Sequence, residues 1–363
     1  MPAPIELPEK YRQMSDEECI AIIKRKKAQY GSQLAILVHH YQRKELVPFH
    51  DFLGDSFDLS AKAAAEKEVR YIAFCGVHFM AEAADIVSRP DQTVYLPNPY
   101  AGCPMADMAP YHQVEKAWNE LSEVIDTEKV IPISYMNSTA KMKSFCGVNN
   151  GLICTSSNAD KAFDYAYNHG EKIFFFPDQH LGRNTARAKR IDPAQILLWD
   201  SEKPLGGFEK SDIEQAKVIL WPGHCHVHMN FTVEQIDRRR IEMPDIKIIV
   251  HPECRQEVVM AADAYGSTKF IVEFVEQQKP GTEIAIATEL NLVSRLIDEF
   301  PDKKIMPLSQ DVCPMCVNMY RTTLNDLAFT LDVIEEGGGN IIKVDEPFRS
   351  EAMKALDKML ELK

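Results

Sequence analysis

Apolar residues along the chain come in short runs rich in Val, Ile, Leu, Phe and Tyr. Each run ends in a polar or glycine-containing turn, and an amphipathic stretch with helical spacing follows. That alternation predicts βαβ units, in which helices cover a parallel sheet. Three runs open a series: QLAILVHHYQ, VIPISYMNST and IKIIVHPECR. Each is an apolar strand ending in side chains capable of chemistry, namely His39 and Tyr41, Tyr135 and Asn137, and His251 and Glu253. Three others close it: TVYLPNPYAGCPM, AKVILWPGHCHVH and KKIMPLSQDVCPM. Each of these is a strand-like run, then a loop, then one cysteine: Cys103, Cys225 or Cys313. The order of opener, strand–turn–helix units and cysteine occurs three times, from residue 39 to 103, 135 to 225 and 251 to 313. The longer middle third reads as carrying an insertion near AKRIDPAQILLWDSEKPLGGFEKSD.

Internal repetition of this kind predicts an α/β protein of three similar domains. We place them at residues 30–128, 129–243 and 244–325, with terminal helices in 1–29 and 326–363 packing on the core; the alternative is one large α/β sheet. SDEECIAIIKRKKAQYG has Ser15 as a cap, early acids, later bases and Gly31 as a stop. Ligands of open parallel sheets bind at the carboxyl ends of the strands. Three domains about a pseudo-threefold axis would point those ends at one centre, and three cysteines would meet there among the polar groups of the openers.

Composition narrows the partners. The 363 residues carry 41 Lys and Arg against 54 Asp and Glu, a formal charge of −13, with no basic run. This weighs against nucleic acid or acidic membranes as main partners. No stretch is apolar enough to span a bilayer, and MPAPIELPEKYRQMSDEE has no apolar leader core, so a cytoplasmic location is expected. Nine cysteines, an odd number, do not read as a disulfide framework.

Cys313 and Cys316 form a C-x-x-C pair that leaves three chemistries open. Structural zinc would need a second pair, which Cys225 and His228 could supply. A redox dithiol would fit the spacing but not the position late in a large chain, and it would leave Cys103 and Cys225 without purpose. A four-iron cluster held by one cysteine from each third would keep one iron free of protein ligand, and an open metal site is a Lewis acid suited to dehydration. Cys316 is then spare, and Cys19, Cys75, Cys146, Cys154 and Cys254 read as small packing residues.

The segments HHYQ, GDS, FCGVHFMAEAA, AGCPMADM, SYMNSTA, CTSSNA, FPDQHLGRNTA, WPGHCHVH, HPEC, YGST and CPM, in this order over about residues 30 to 325, resemble the quinolinate synthase family. The resemblance implies three three-layer α/β/α domains with parallel sheets, related by pseudo-threefold symmetry around one [4Fe-4S] cluster with three cysteine ligands and one open iron. It implies condensation of iminoaspartate with dihydroxyacetone phosphate to quinolinate, phosphate and two waters. It also implies coupling to an L-aspartate oxidase or dehydrogenase as the source of iminoaspartate. Carried over by motif, Cys103, Cys225 and Cys313 are the ligands, Cys313 because it immediately precedes a proline. His39, Tyr41, His251 and Glu253 are catalytic, with Glu253 as general base. Ser56, Tyr135, Asn137, Ser156, His228, Ser267 and Thr268 bind substrate, the serines and Thr268 at expected helix starts that favour anions.

Outside these positions we expect His78, His224 and His226 to be local hydrogen-bond partners and Arg238, Arg239 and Arg240 to form a solvated face. Asp178 and His180 carry no assigned role. Rival readings are a zinc-dependent hydrolase or lyase and a non-catalytic iron–sulfur sensor.

Overall fold

A computed structural model of the chain describes residues 4–362, apart from the side chains of Ser56 and Phe57. The apolar runs become strands of three sheets. In the first sheet lie β1 (Leu34–His39), β2 (Phe52–Gly54), β3 (Tyr71–Cys75) and β4 (Thr93–Tyr95). The second holds β5 (Val130–Tyr135), β6 (Leu152–Cys154), β7 (Lys172–Phe176), β8 (Ile196–Leu198) and β9 (Val218–Leu220). The third holds β10 (Lys247–Val250), β11 (Ala264–Tyr265), β12 (Glu283–Ala287) and β13 (Lys304–Pro307). A last strand, β14 (Ile341–Ile342), joins the first sheet beside β4 and is antiparallel to it. All other pairings are parallel.

The three sheets share one strand order. They run β2-β1-β3-β4, β6-β5-β7-β9 and β11-β10-β12-β13, so each opener run forms the first strand and pairs with both the second and the third. Strand β8, which lies at the outer edge next to β9, comes from the predicted insertion. Strands β1 and β5 are buried along all six residues, as central strands covered on both faces must be, and this is why they read as unbroken apolar runs.

The likeness of the first and third sheets extends to a backbone device. The Ile36 N–H donates to the Asp51 carboxylate at 2.8 Å, and the Asp51 N–H returns a bond to the Ile36 carbonyl at 2.8 Å. Ile248 and Asp263 repeat the exchange at 2.7 and 3.0 Å. In both sheets the aspartate stands one residue before the second strand, so its carboxylate and main chain align that strand against the first.

Two compact units contain these sheets. One comprises Met1–Cys103, Glu289–Arg295 and Met315–Asp345 and holds the first sheet; the other comprises Pro104–Thr288, Leu296–Pro314 and Glu346–Lys363 and holds the second and third. In the first unit the helix Asp16–Tyr30 starts on a capping box between Ser15 and Glu18 and stops at Gly31, whose φ is +51°. Its Cys19 and Ile23 pack with Leu327 and Leu331 of the helix Leu324–Val333 and with Ile36 and Val38 of β1. In the second unit the helix Phe348–Glu361 lies against the helix Ala140–Val148. A Cβ at Gly147 would stand 1.8 Å from the Glu351 carbonyl oxygen, so that approach requires glycine.

Candidate active site

The carboxyl ends of the opener strands carry the predicted chemistry. His39 ends β1, and Tyr135 ends β5; His251 and Glu253 follow β10 directly. The histidine loops of the first and third sheets close in the same way. The Tyr41 N–H donates to His39 Nδ1 at 3.1 Å, and the Glu253 N–H donates to His251 Nδ1 at 3.3 Å. With Nδ1 an acceptor, the proton of each neutral ring sits on Nε2. Burial, reinforced by His40 and Arg295, pulls the pKa of His39 down to about 3. Burial and His228 do the same for His251, against the attraction of Glu253. His40 turns to Arg295, whose guanidinium donates to its Nδ1 at 2.9 Å.

In the second unit four predicted residues meet. His228 is 1% exposed; its Nδ1 pairs with Glu253 Oε2 at 2.8 Å, and its Nε2 lies 3.2 Å from Thr288 Oγ1. The His251 ring stacks on His228 with centroids 4.5 Å apart, and the Tyr135 hydroxyl hydrogen-bonds to Glu253. Burial alone would raise the Glu253 pKa, but His251, His228 and the Tyr135 bond outweigh it and hold the carboxyl low. Cys225, His228 and Glu253 present sulfur, nitrogen and oxygen donors that all lie within 4.8 Å of one another, a group able to hold a metal ion. Ser156 and Ser267 line one cavity of about 570 Å³ together with Asn184, Pro252, Tyr265 and Lys269.

Helix starts are placed as expected in part. Ser267 caps the helix Thr268–Glu276 by accepting from the Phe270 N–H, so its oxygen already serves the helix, while its O–H remains a donor. Thr268 is the first residue of that helix and is buried. Ser156 sits in the turn before the helix Ala159–His169, whose cap position is Asn158. Ser56 opens the helix Ser56–Ala65, and its side chain lies outside the described residues. Asn137 follows β5 in a loop tied by Lys143.

The nine thiols divide by burial into five and four. Cys19, Cys75, Cys146, Cys154 and Cys254 are buried, and burial pushes all five upward in pKa, Cys75 to about 12. Cys103 and Cys225 are half-buried, and Cys313 is exposed. Each of these three follows the fourth strand of its own sheet: β4, β9 and β13. The N–H of Cys316, the remaining thiol, donates to Glu289 at 3.1 Å.

Two expectations are corrected. Arg239 is not part of a solvated face. It is 7% exposed, and its guanidinium donates to the carbonyls of Pro307 and Leu308 at 2.7 and 3.2 Å, because a planar fork of donors suits the free carbonyls at a strand end. With Arg238 bound to Asp311 and Gln235 to Ser309, the helix Val233–Glu242 braces the loop that leads to Cys313. His226 is not a satisfied local partner, since its Nε2 is buried with none among the described residues.

The sequence reading missed the role of Asp178. It caps the helix Gln179–Ala188 through the N–H groups of His180 and Leu181. It is fully buried, its Oδ2 has no hydrogen-bond partner among the described residues, and burial together with the Glu253 charge raises its pKa well above its ordinary value. Two buried carboxyls thus stand in one field, the pKa of Glu253 pulled down by its partners and that of Asp178 pushed up by burial and by Glu253. The cap was readable from PDQH in FPDQHLGRNTA; the neighbour was not.

Repeated parallel α/β sheets, with His, Tyr and Glu side chains at their first strand ends and one accessible cysteine after each fourth strand, define a protein built for catalysis or metal binding at strand ends. The family described as "Quinolinate synthetase A protein" matches residues 21–361. Proteins named "Quinolinate synthase" are 46% identical over 357 residues in Corynebacterium glutamicum, covering 98% of this chain and 90% of that one. Those of Bacillus cereus and Bacillus anthracis are 47% identical over 361 residues, covering 99% and 97%. The chain belongs to the quinolinate synthase family.

Proposed function

We propose that this protein is a quinolinate synthase of pyridine nucleotide biosynthesis, condensing iminoaspartate with dihydroxyacetone phosphate and releasing phosphate and two waters. The observation that carries the reading is the buried His228–Glu253–Tyr135 group beside Cys225 at the strand ends of the second unit. Glu253 is a charged carboxylate kept from water and aimed by two hydrogen bonds; these bonds lower its basicity but keep it ionised, free to accept a proton next to a carbonyl, as isomerising a ketose phosphate requires. His228 takes or returns that proton through Nδ1. His39 and His251 present Nε2–H donors whose tautomer is fixed by main-chain N–H groups, suited to oxygens that gain charge. Ser156 and Ser267 offer hydroxyl donors on one cavity wall to a phosphate or carboxylate.

Cys103, Cys225 and Cys313 fit a four-iron cluster: they are among the four thiols that are not buried, and they occupy the same place in each sheet. When bound, the cluster supplies one iron without a protein ligand, a Lewis acid for the loss of water. Anaerobic protein should then hold about four irons and four sulfides. Cys103→Ala, Cys225→Ala and Cys313→Ala should each abolish them, while Cys316→Ala and Cys154→Ala keep them. Glu253→Gln should keep the cluster and lower quinolinate formation about 100-fold or more, to a residual rate that can still be measured; near-normal turnover would remove Glu253 from the mechanism.

A second reading, a zinc hydrolase or lyase, has the Cys225–His228–Glu253 donor set in its favour. One zinc per chain without sulfide, in protein made and kept anaerobically, would establish it. A non-catalytic iron–sulfur sensor has no such support, and the charge of −13 weighs against a nucleic-acid partner. No helix among the described residues is long and apolar enough to cross a membrane. The iminoaspartate would come from an L-aspartate oxidase or dehydrogenase.

A further inference from the structure

Two loops at strand ends in the second unit are tied by one device. After β5 the chain runs Met136–Asn137–Ser138; after β10 it runs His251–Pro252–Glu253–Cys254. Lys143 Nζ donates to the carbonyls of Met136, at 3.0 Å, and of Ser138. Asn184 Nδ2 donates to the carbonyls of Pro252 and Cys254 at 2.8 and 2.9 Å. In each case one nitrogen spans the residues on either side of a predicted functional side chain, Asn137 or Glu253. Neither donor is a surface group: Lys143 is 0% exposed and Asn184 3%.

The carbonyl of the preceding residue lies in the peptide plane that enters the functional residue, and the carbonyl of the following residue lies in the plane one peptide beyond it, so a single donor pins both ends of a short segment with that residue at its centre. Because each peptide is planar, pinning the ends of so short a segment narrows the directions in which the central side chain can leave the backbone. A plain structural tie would not need so costly a group. Burying an ammonium is among the most unfavourable transfers a side chain can undergo, and the loop after β5 is already closed by the Ser134–Ser138 hydroxyl bond at 2.8 Å. Asn184 also leaves its Oδ1 buried without a partner among the described residues, a cost that an apolar residue of similar size would avoid.

We infer that Lys143 and Asn184 are positioning residues for the reaction, Lys143 aiming Asn137 and Asn184 aiming Glu253. The inference rests on the functional reading above. Misplacement by an ångström costs about 100-fold in rate, so Lys143→Met and Asn184→Leu should each lower kcat about 10- to 100-fold while iron, sulfide and the unfolding midpoint stay near wild type.

Two double-mutant cycles separate positioning from bulk structure. If Asn184 acts through Glu253, Asn184→Leu adds no further loss to Glu253→Gln, and Lys143→Met adds none to Asn137→Ala. Losses that multiply in both doubles, or single variants with wild-type kcat, overturn the inference. If Lys143→Met does not fold, the Asn184 cycle decides. Amide hydrogen exchange reads the tie without turnover: in Asn184→Leu it should quicken about tenfold or more at residues 253 and 254 and not elsewhere. Unchanged exchange there overturns the tie. Wild-type protein that makes no quinolinate overturns the functional reading alone, and exchange then still tests the device.

Discussion

Lowering the pH from about 8 to about 5 should cost the folded protein about 4 kcal/mol through two histidines alone. His39 and His251 each accept a main-chain N–H at Nδ1 and carry their proton on Nε2, so a second proton would have to displace the Tyr41 or Glu253 N–H. Their pKa falls from 6.5 to about 3. Between those values the unfolded chain binds a proton that the native ring refuses. The stabilisation is therefore full above about pH 6.5 and is lost as pH falls toward 3. At about pH 5 each ring has lost roughly 1.5 pK units' worth, about 2 kcal/mol. The groups facing His39 are His40 and Arg295, which act with burial; those facing His251 are His228, which acts with it, and Glu253, which opposes it. A double variant, His39→Asn with His251→Asn, keeps an acceptor oxygen in reach of each N–H and cannot titrate. Urea unfolding at both pH values should give the wild type a drop about 4 kcal/mol larger than that of the variant. Drops that agree within about 1 kcal/mol would refute the reasoning, as would a histidine NMR titration with either midpoint between about 6 and 7.

Other variants test the packing. Gly147→Ala should destabilise by about 1–3 kcal/mol, or more if the helix Phe348–Glu361 cannot shift, seen as a lower unfolding midpoint; no change would mean the close approach at Glu351 relaxes freely. Ser15→Ala should cost about 1 kcal/mol and show as faster amide exchange in the first turn of the helix Asp16–Tyr30. Asp178→Asn, which removes the buried charge and keeps an acceptor for the His180 and Leu181 N–H groups, should hold stability within about 1 kcal/mol. Asp178→Ala should lose the cap and more.

The readable part of the fold follows from burial on both faces. Strands β1, β5 and β10 are unbroken apolar runs because helices cover them twice, and their ends are marked by abrupt polarity. Ser15 with Glu18 and the insertion that carries β8 were equally plain, being local patterns. Strand β14 was hidden, because two residues have no period and its partner β4 lies far away in the chain. At the site, the histidines, Tyr135 and Glu253 stood out by residue type at strand ends. Lys143, Arg239 and Asn184 did not, since a long polar side chain on a helix looks the same in sequence whether it faces water or a buried carbonyl. Asp178 reads as a cap, and nothing local reveals Glu253 beside it.

The two compact units are each assembled from three stretches of chain. The first cannot be completed until residue 345 has left the ribosome, because the helix Leu324–Val333 and strand β14 close it. The second must wait for the helix Phe348–Glu361. Domain-by-domain folding during synthesis, the usual protection of long chains, is thus denied to both units. Early-made sheets stay partly uncovered until those later segments emerge, so yields in a foreign host should depend on chaperone supply and temperature.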